Sequence, residues 1–290
     1  MPSPELPQGL SELAPRYDAI LCDVWGVIHN GREHFEAPCA ALARFGAGHG
    51  PVVLISNAPR PSAALHGQLD GLNVPRSAWS AFVTSGDATR PLLADRAPGP
   101  VWAIGPLDRD RPLYEGLDLE FADGPADAAF ICCTGPNDEM NDAAEDYRAQ
   151  LEVAAGRELL FVCANPDRWV QKGDRLILCA GGLAELYETL GGHVQIAGKP
   201  HAPIYDLALK EAERLAGRPL DRSRILCIGD GMSTDVAGAQ RQGLDCLFLW
   251  EGVHAADLVQ AGDAETARAV AEFMARHGTL ARYAMPRLAW

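Results

Sequence analysis

The sequence predicts an α/β fold in which a helix-covered parallel sheet is interrupted by an inserted second α/β domain. Three observations carry this expectation. Short apolar runs alternate with helix-like segments, the pattern of repeated strand–helix units. That alternation pauses at the turn-rich stretch RAPGP (96–100), runs through a second series, and resumes after Gly191-Gly192. The polar signatures fall just past apolar runs, where an open parallel sheet binds its ligands.

The elements follow in order. A buried strand is expected over Tyr17 to Val24, a helix over Pro38 to Phe45, and a second strand over Val52 to Ile55. Pro61 suits the first turn of a helix that ends near Gly71. Val83 closes a short strand, and Ser85 is placed to cap a helix containing Asp87 to Leu93. The second series comprises VWAIG, AAFICCTG, a helix from Asp138 to about Ala155, ELLFVCAN, a helix from Gly182 to Leu190, and the strand VQIAG. The first pattern then returns with a helix over Pro203 to Leu215, a strand over Ile225 to Ile228, a helix after Ser233 and the strand LFLW. The expected division is a core of residues 1–95 and 194–290 with an insert of 96–193.

Composition narrows the class of function. With 48% apolar and 22% charged residues the chain is ordinary for a globular enzyme. A formal charge of −14 argues against nucleic acid and anionic membrane surfaces as partners. No apolar run is long enough to span a bilayer, and MPSPELPQGLSEL lacks the basic start and apolar stretch of a signal peptide. The eight cysteines mostly sit inside strand-like runs and show no metal-ligand spacing. Free thiols in a reducing cytoplasm are therefore expected.

Four signatures carry chemistry. In CDVWGVIHNG, Asp23 ends the first strand and Gly26 permits a sharp turn behind it. A carboxylate fixed there can attack phosphorus and form an acyl-phosphate; it can equally bond to nearby backbone amides. In LISNAPRP, the Ser56 hydroxyl and the Asn57 amide could hold a phosphoryl oxygen, or simply cap a helix. In IAGKPHAPIY, Lys199 is one of three lysines, with Lys172 and Lys210, and can neutralise charge on nucleophile and phosphate. In CIGDGMSTDVAGA, Asp230 and Asp235 stand five apart at a strand-to-helix turn, suited to a hard cation.

Taken in order with TSGDAT and CANPD, these motifs resemble the haloacid dehalogenase (HAD) superfamily, and in detail its class IIA, NagD-like branch. The resemblance implies a Rossmann-like parallel-sheet core with a large inserted α/β cap, and Mg²⁺-dependent hydrolysis of a small phosphorylated metabolite through an aspartyl-phosphate. It makes Asp23 the nucleophile, Ser56 and Lys199 the phosphoryl-holding groups, and Asp230 a Mg²⁺ ligand with Asp235 nearby. The backbone carbonyl of Trp25 would be a further ligand. By the same analogy the chain forms a homodimer through the cap.

Residue 25 departs from the pattern. Phosphatases of the superfamily carry a second aspartate there as general acid and base, whereas the indole of Trp25 has no titratable proton to give. That role is typically worth about 10²–10⁴-fold in rate. His29 is the nearest substitute by sequence, or a flap residue that merely touches the cap; Asp87 and Asp167 are weaker candidates. Asn165 and Asp167 are placed to read the non-phosphate part of a substrate, or to form an Asx turn. Two other classes stay open: hydrolysis at a carbon–phosphorus or carbon–halogen bond, and a dormant protein that binds a phosphorylated ligand. The intact GDGMSTD motif argues against a metal-independent dehalogenase, and Lys172, the sole lysine of the insert, limits any imine route.

Overall fold

The computed structural model describes residues 3–172, 175–252 and 263–290. Its strands are β1 (Ala19–Asp23), β2 (Val52–Ser56), β3 (Ala81–Thr84), β4 (Val101–Ile104), β5 (Phe130–Cys133), β6 (Leu160–Cys163), β7 (Trp169–Lys172), β8 (Arg175–Leu178), β9 (His193–Ile196), β10 (Ile225–Gly229), β11 (Asp245–Leu249) and β12 (Tyr283–Met285). They form a six-stranded sheet in the order β12-β11-β10-β1-β2-β3, a four-stranded sheet β4-β5-β6-β9, and the hairpin β7-β8.

Two compact units divide the chain. One comprises Met1–Ser56, His66–Val83 and Lys199–Trp290; the other comprises Asn57–Leu65 and Thr84–Gly198. The second unit therefore takes in segments on both sides of the expected 96–193 insert. The stretch 57–65 joins it because that stretch is stitched to the helix Ser85–Ala94. Gly86 N donates to the Ala58 carbonyl at 3.0 Å, Thr84 Oγ1 to the Arg60 carbonyl at 2.8 Å, and Ser62 N to Asp87 Oδ1 at 3.1 Å.

In the first unit β1 is buried at every position, with β10 and β2 paired parallel on its two sides. A strand covered on both faces must be apolar throughout, which is why AILC reads as a continuous run. The helix Glu36–Gly48 buries Cys39, Ala41, Leu42 and Phe45, and the helix Ala202–Ala216 packs on β2. In the second unit β4, β5, β6 and β9 are all parallel. One face of that sheet packs Ile131, Cys133, Phe161 and Cys163 against Leu183, Ala184 and Tyr187 of the helix Ala180–Thr189.

Several expectations shift on contact with the structure. The helix cap in TSGDAT is Thr84, not Ser85. Thr84 Oγ1 accepts the Asp87 amide at 3.0 Å and Asp87 Oδ2 accepts the Thr84 amide at 2.9 Å, a reciprocal capping box. The helix expected from Asp138 begins only at Arg148, after a 3₁₀ turn Ala144–Tyr147. Asp138 instead binds its own local groups, accepting from Met140 N and Asn141 Nδ2. The hairpin β7-β8, the helix Asp263–Arg276 and β12 add to the elements legible in the sequence. All eight cysteines are free and buried, and no described helix is long and apolar enough to cross a membrane.

Candidate active site

Asp23 is the last residue of β1, and Asp230 follows directly on β10. From β1 the sheet grows through β2 and β3 on one side and through β10, β11 and β12 on the other. The order thus reverses between β1 and β10, the switch point at which doubly wound sheets bind ligands. Ser56 ends β2, the neighbour on the other side of β1.

A single π-helical turn, Met232–Val236, carries Asp235 back toward the strand ends. One carboxylate oxygen from each of Asp23, Asp230 and Asp235 lies within 4.8 Å of the other two. All three residues are at most 7% exposed. Lys199 Nζ joins two of them, at 2.5 Å from Asp23 Oδ1 and 2.7 Å from Asp235 Oδ1. Asp235 Oδ2 also accepts the Gly231 amide at 3.0 Å. Asp230 is held in a slot between two glycines: a Cβ on Gly26 or on Gly252 would run into its carboxylate. Gly26 is also at φ +82°, a backbone conformation glycine adopts without a Cβ clash.

The electrostatics follow from burial and charge count. Burial, then the Asp235 carboxylate, push the Asp23 carboxyl well above its usual range, with Lys199 opposing. Burial alone would lower Lys199, but Asp23 and Asp235 outweigh it and hold the ammonium above its ordinary value. Three acidic side chains against one ammonium leave an excess of acidic groups in a largely buried space. Oxygen donors in such excess fit a hard divalent cation such as Mg²⁺. Asp23, Asp230 and Asp235 would hold it.

The loop after β1 is pinned locally. The Gly26 amide donates to the His29 carbonyl at 2.9 Å, and a Cβ on Gly31 would strike the Trp25 ring. Trp25 stands edge-on to the His29 imidazole, ring centroids 5.5 Å apart. His29 is 3% exposed and its Nδ1 accepts the Gly31 amide at 3.1 Å. Burial pushes this imidazole down to about 4, so at neutral pH the ring is uncharged and poorly suited to replace the missing acid. Asp87 is likewise occupied, accepting the Thr84 amide in the capping box and the Ser62 amide.

Asn57, Asn165 and Asp167 come together in the second unit. Asn57 Nδ2 donates to Asp167 Oδ1 at 2.8 Å, and the Asp167 amide donates to Asn165 Oδ1 at 3.2 Å. The second contact is an Asx turn within CANPD. Asp167 therefore spends part of its carboxylate on Asn57 instead of offering all of it to a ligand. The Lys172 side chain lies outside what is described. Two features escaped sequence reasoning. Gly252 flanks Asp230 with no local motif to signal it. Ser85 sits in TSGDAT, where the local pattern suggests a cap, whereas the structure buries its hydroxyl.

The chain resembles known hydrolases over most of its length. A haloacid dehalogenase-like hydrolase family model matches residues 20–119, and a HAD-hydrolase-like model matches residues 196–275. A crystal structure of a haloacid dehalogenase-like family hydrolase from Brucella suis 1330 is 43% identical, with a TM-score of 0.86 over 98% of this chain and 100% of that one. The 5'-nucleotidase YutF of Bacillus subtilis (strain 168) is 23% identical over 82% of this chain and 88% of its own length. A glycerol phosphate phosphatase of Mycobacterium tuberculosis, solved with magnesium, shares the fold at TM-score 0.63 and 23% identity, over 86% of this chain and 73% of that one.

Proposed function

The chain belongs to the haloacid dehalogenase-like hydrolases, in their class IIA, NagD-like branch, and from that premise we propose a Mg²⁺-dependent phosphatase that acts through an aspartyl-phosphate on Asp23. The observation that carries the reading is the single ammonium of Lys199 set between Asp23 and Asp235 in a buried three-carboxylate cluster. The phosphatase names carried by relatives support the substrate class, a small phosphorylated metabolite.

A Mg²⁺ ion held by Asp23, Asp230, Asp235 and the Trp25 carbonyl would neutralise the carboxylates and polarise a phosphoryl oxygen. An Asp23 carboxylate oxygen then forms a bond to phosphorus as the bond from phosphorus to the leaving oxygen breaks. Lys199 offsets negative charge on nucleophile and phosphoryl group, while the Ser56 hydroxyl and Asn57 amide hold phosphoryl oxygens. Water opens the acyl-phosphate, releasing orthophosphate and restoring Asp23. Trp25 supplies no proton to the leaving oxygen, and His29 is neutral. Leaving groups that depart as stable anions are thus favoured. The same two facts favour a second reading, a dormant binder of a phosphorylated ligand.

We assign the inserted unit the cap role expected of residues 96–193, with Asn165 reading the non-phosphate part of the substrate. A homodimer and a cytoplasmic setting complete the reading, the latter supported by eight free buried thiols.

The test is kcat/KM for a leaving-group series with Mg²⁺, in wild type and Trp25→Asp. Aryl and acyl phosphates should turn over, with alkyl phosphates slower by up to about 10²–10⁴-fold, a gap that Trp25→Asp narrows. No turnover of any ester by either protein would leave the binder reading standing.

A further inference from the structure

Within the second unit, one partly buried cation has no partner. The Arg60 guanidinium forms no ion pair and no hydrogen bond among the described residues. The backbone that carries it is nonetheless fixed. Pro59 and Pro61 flank it and restrict the chain on both sides. Its carbonyl accepts the Thr84 hydroxyl at 2.8 Å, and a Cβ on Gly86 would stand 2.4 Å from its carbonyl carbon. Arg60 is therefore mounted against the start of the helix Ser85–Ala94 instead of riding on a loose loop.

The acidic groups that act on Arg60 are already taken. Arg109 grips Asp110 through two hydrogen bonds, at 2.8 and 3.0 Å, and binds Glu139 through its remaining nitrogen. Asp110 is fully buried, which keeps that pair in place. Burial, then the Arg109 charge, hold the Arg60 guanidinium below its ordinary value, with Asp110 and Glu139 opposing. The side chain stays a cation, with five donors and no protein acceptor among the described residues. Arg109 and Asp110 lie just past the end of β4, and Glu139 lies past the end of β5. Those are the strand ends at which a parallel sheet receives ligands. A guanidinium kept partly out of water without an acceptor opposes folding, and an apolar side chain would not.

We propose that Arg60 binds an oxyanion that the substrate carries besides its transferred phosphoryl group, either a carboxylate or a second phosphate. The guanidinium fork takes two such oxygens side by side. Arg60 is four residues beyond Ser56, so their Cα atoms are at most about 14 Å apart. A small metabolite with an anion at each end can bridge that distance. The inference rests on the phosphatase reading, which assigns Ser56 to the phosphoryl group, and it narrows the substrate class to phosphate esters with a second negative group.

The experiment compares phenyl phosphate, carboxyphenyl phosphates and phenylene bisphosphates as substrates with Mg²⁺, in wild type, Arg60→Gln and Arg60→Lys. It reads kcat/KM and the melting temperature of each protein. Wild type should prefer the carboxylated or the doubly phosphorylated ester over phenyl phosphate by about ten- to a hundredfold, the worth of a charge-assisted hydrogen bond. The preferred ester tells a carboxylate from a second phosphate. Arg60→Gln should lose that preference, chiefly through KM, while using phenyl phosphate within about threefold of wild type. Arg60→Lys should keep part of it, as a point charge without the fork. Arg60→Gln should melt no lower than wild type, because no protein partner is lost. A wild type indifferent to both anions would overturn the proposal, and so would an Arg60→Gln that keeps the preference. Equal losses on every ester with a lowered melting temperature would mark Arg60 as structural and overturn it too. If wild type hydrolyses none of the esters, the phosphatase reading fails first, and this inference with it.

Discussion

Replacing Asp230 with asparagine should stabilise the metal-free protein while removing its response to Mg²⁺. In wild type Asp230 shares a buried space with Asp23 and Asp235, their oxygens within 4.8 Å of one another. At an effective dielectric of ~20, two like charges at that spacing repel by about 3.5 kcal/mol. Asp230 feels two such repulsions, and the Lys199 ammonium opposes roughly one of them. The remainder is about 3.5 kcal/mol, and protonation of Asp23 relieves part of it in the metal-free state. Asparagine keeps the shape in the slot between Gly26 and Gly252 and removes the charge. A gain of about 1–3 kcal/mol is expected, each kcal/mol raising Tm by roughly 2–4 °C. Wild type should gain about 2.7 kcal/mol more when Mg²⁺ reaches a hundredfold excess over its Kd, and the variant much less. Calorimetric melts of both proteins, with EDTA and with Mg²⁺, supply the four numbers. A metal-free Asp230→Asn that melts below wild type, with an equal Mg²⁺ increment in both, would refute the charge argument and the ligand assignment together.

Two other outcomes follow from the same coordinates. Gly26→Ala places a Cβ against the Asp230 carboxylate at φ +82°. It should cost about 1–2 kcal/mol by chemical denaturation and abolish the Mg²⁺ increment; an unchanged increment would show that the slot does not hold Asp230 in place. Asp18, held by Arg218 at 2.7 Å and Arg224 at 2.6 Å, has its carboxyl lowered from 3.8 to about 2, chiefly by the Arg224 and Arg218 hydrogen bonds. A depressed carboxylate contributes stability above its unfolded value and loses it as pH falls through the folded one. Asp18→Asn should therefore cost about 0.5–1 kcal/mol at pH 7. That cost should shrink from pH 3.8 toward pH 2 in urea melts, and a difference independent of pH would contradict the ion-pair account.

The α/β class, most strands of both parallel sheets and the residues that cluster at the strand ends were legible in the amino-acid sequence. Strands buried on both faces must be apolar along their length, so AILC, VVLI and ILCI announce themselves. Residues just past such runs must be polar if a ligand is to bind there, so Asp23, Lys199, Asp230 and Asp235 stand out from their surroundings. The substitution at Trp25 was equally plain, since it needs only a position within a motif. Tertiary structure alone decided what depends on distance between segments far apart in the chain. It bound 57–65 to the helix Ser85–Ala94 and so drew the unit boundary away from residue 96. It turned Asp167 toward Asn57, left Ser85 beside Gly198, and buried His29 out of its ordinary titration range. A side chain's partner and its solvent exposure are sums over neighbours brought together by folding. No local pattern of residues encodes those sums, whereas burial on both faces of a strand leaves its mark on every residue of that strand.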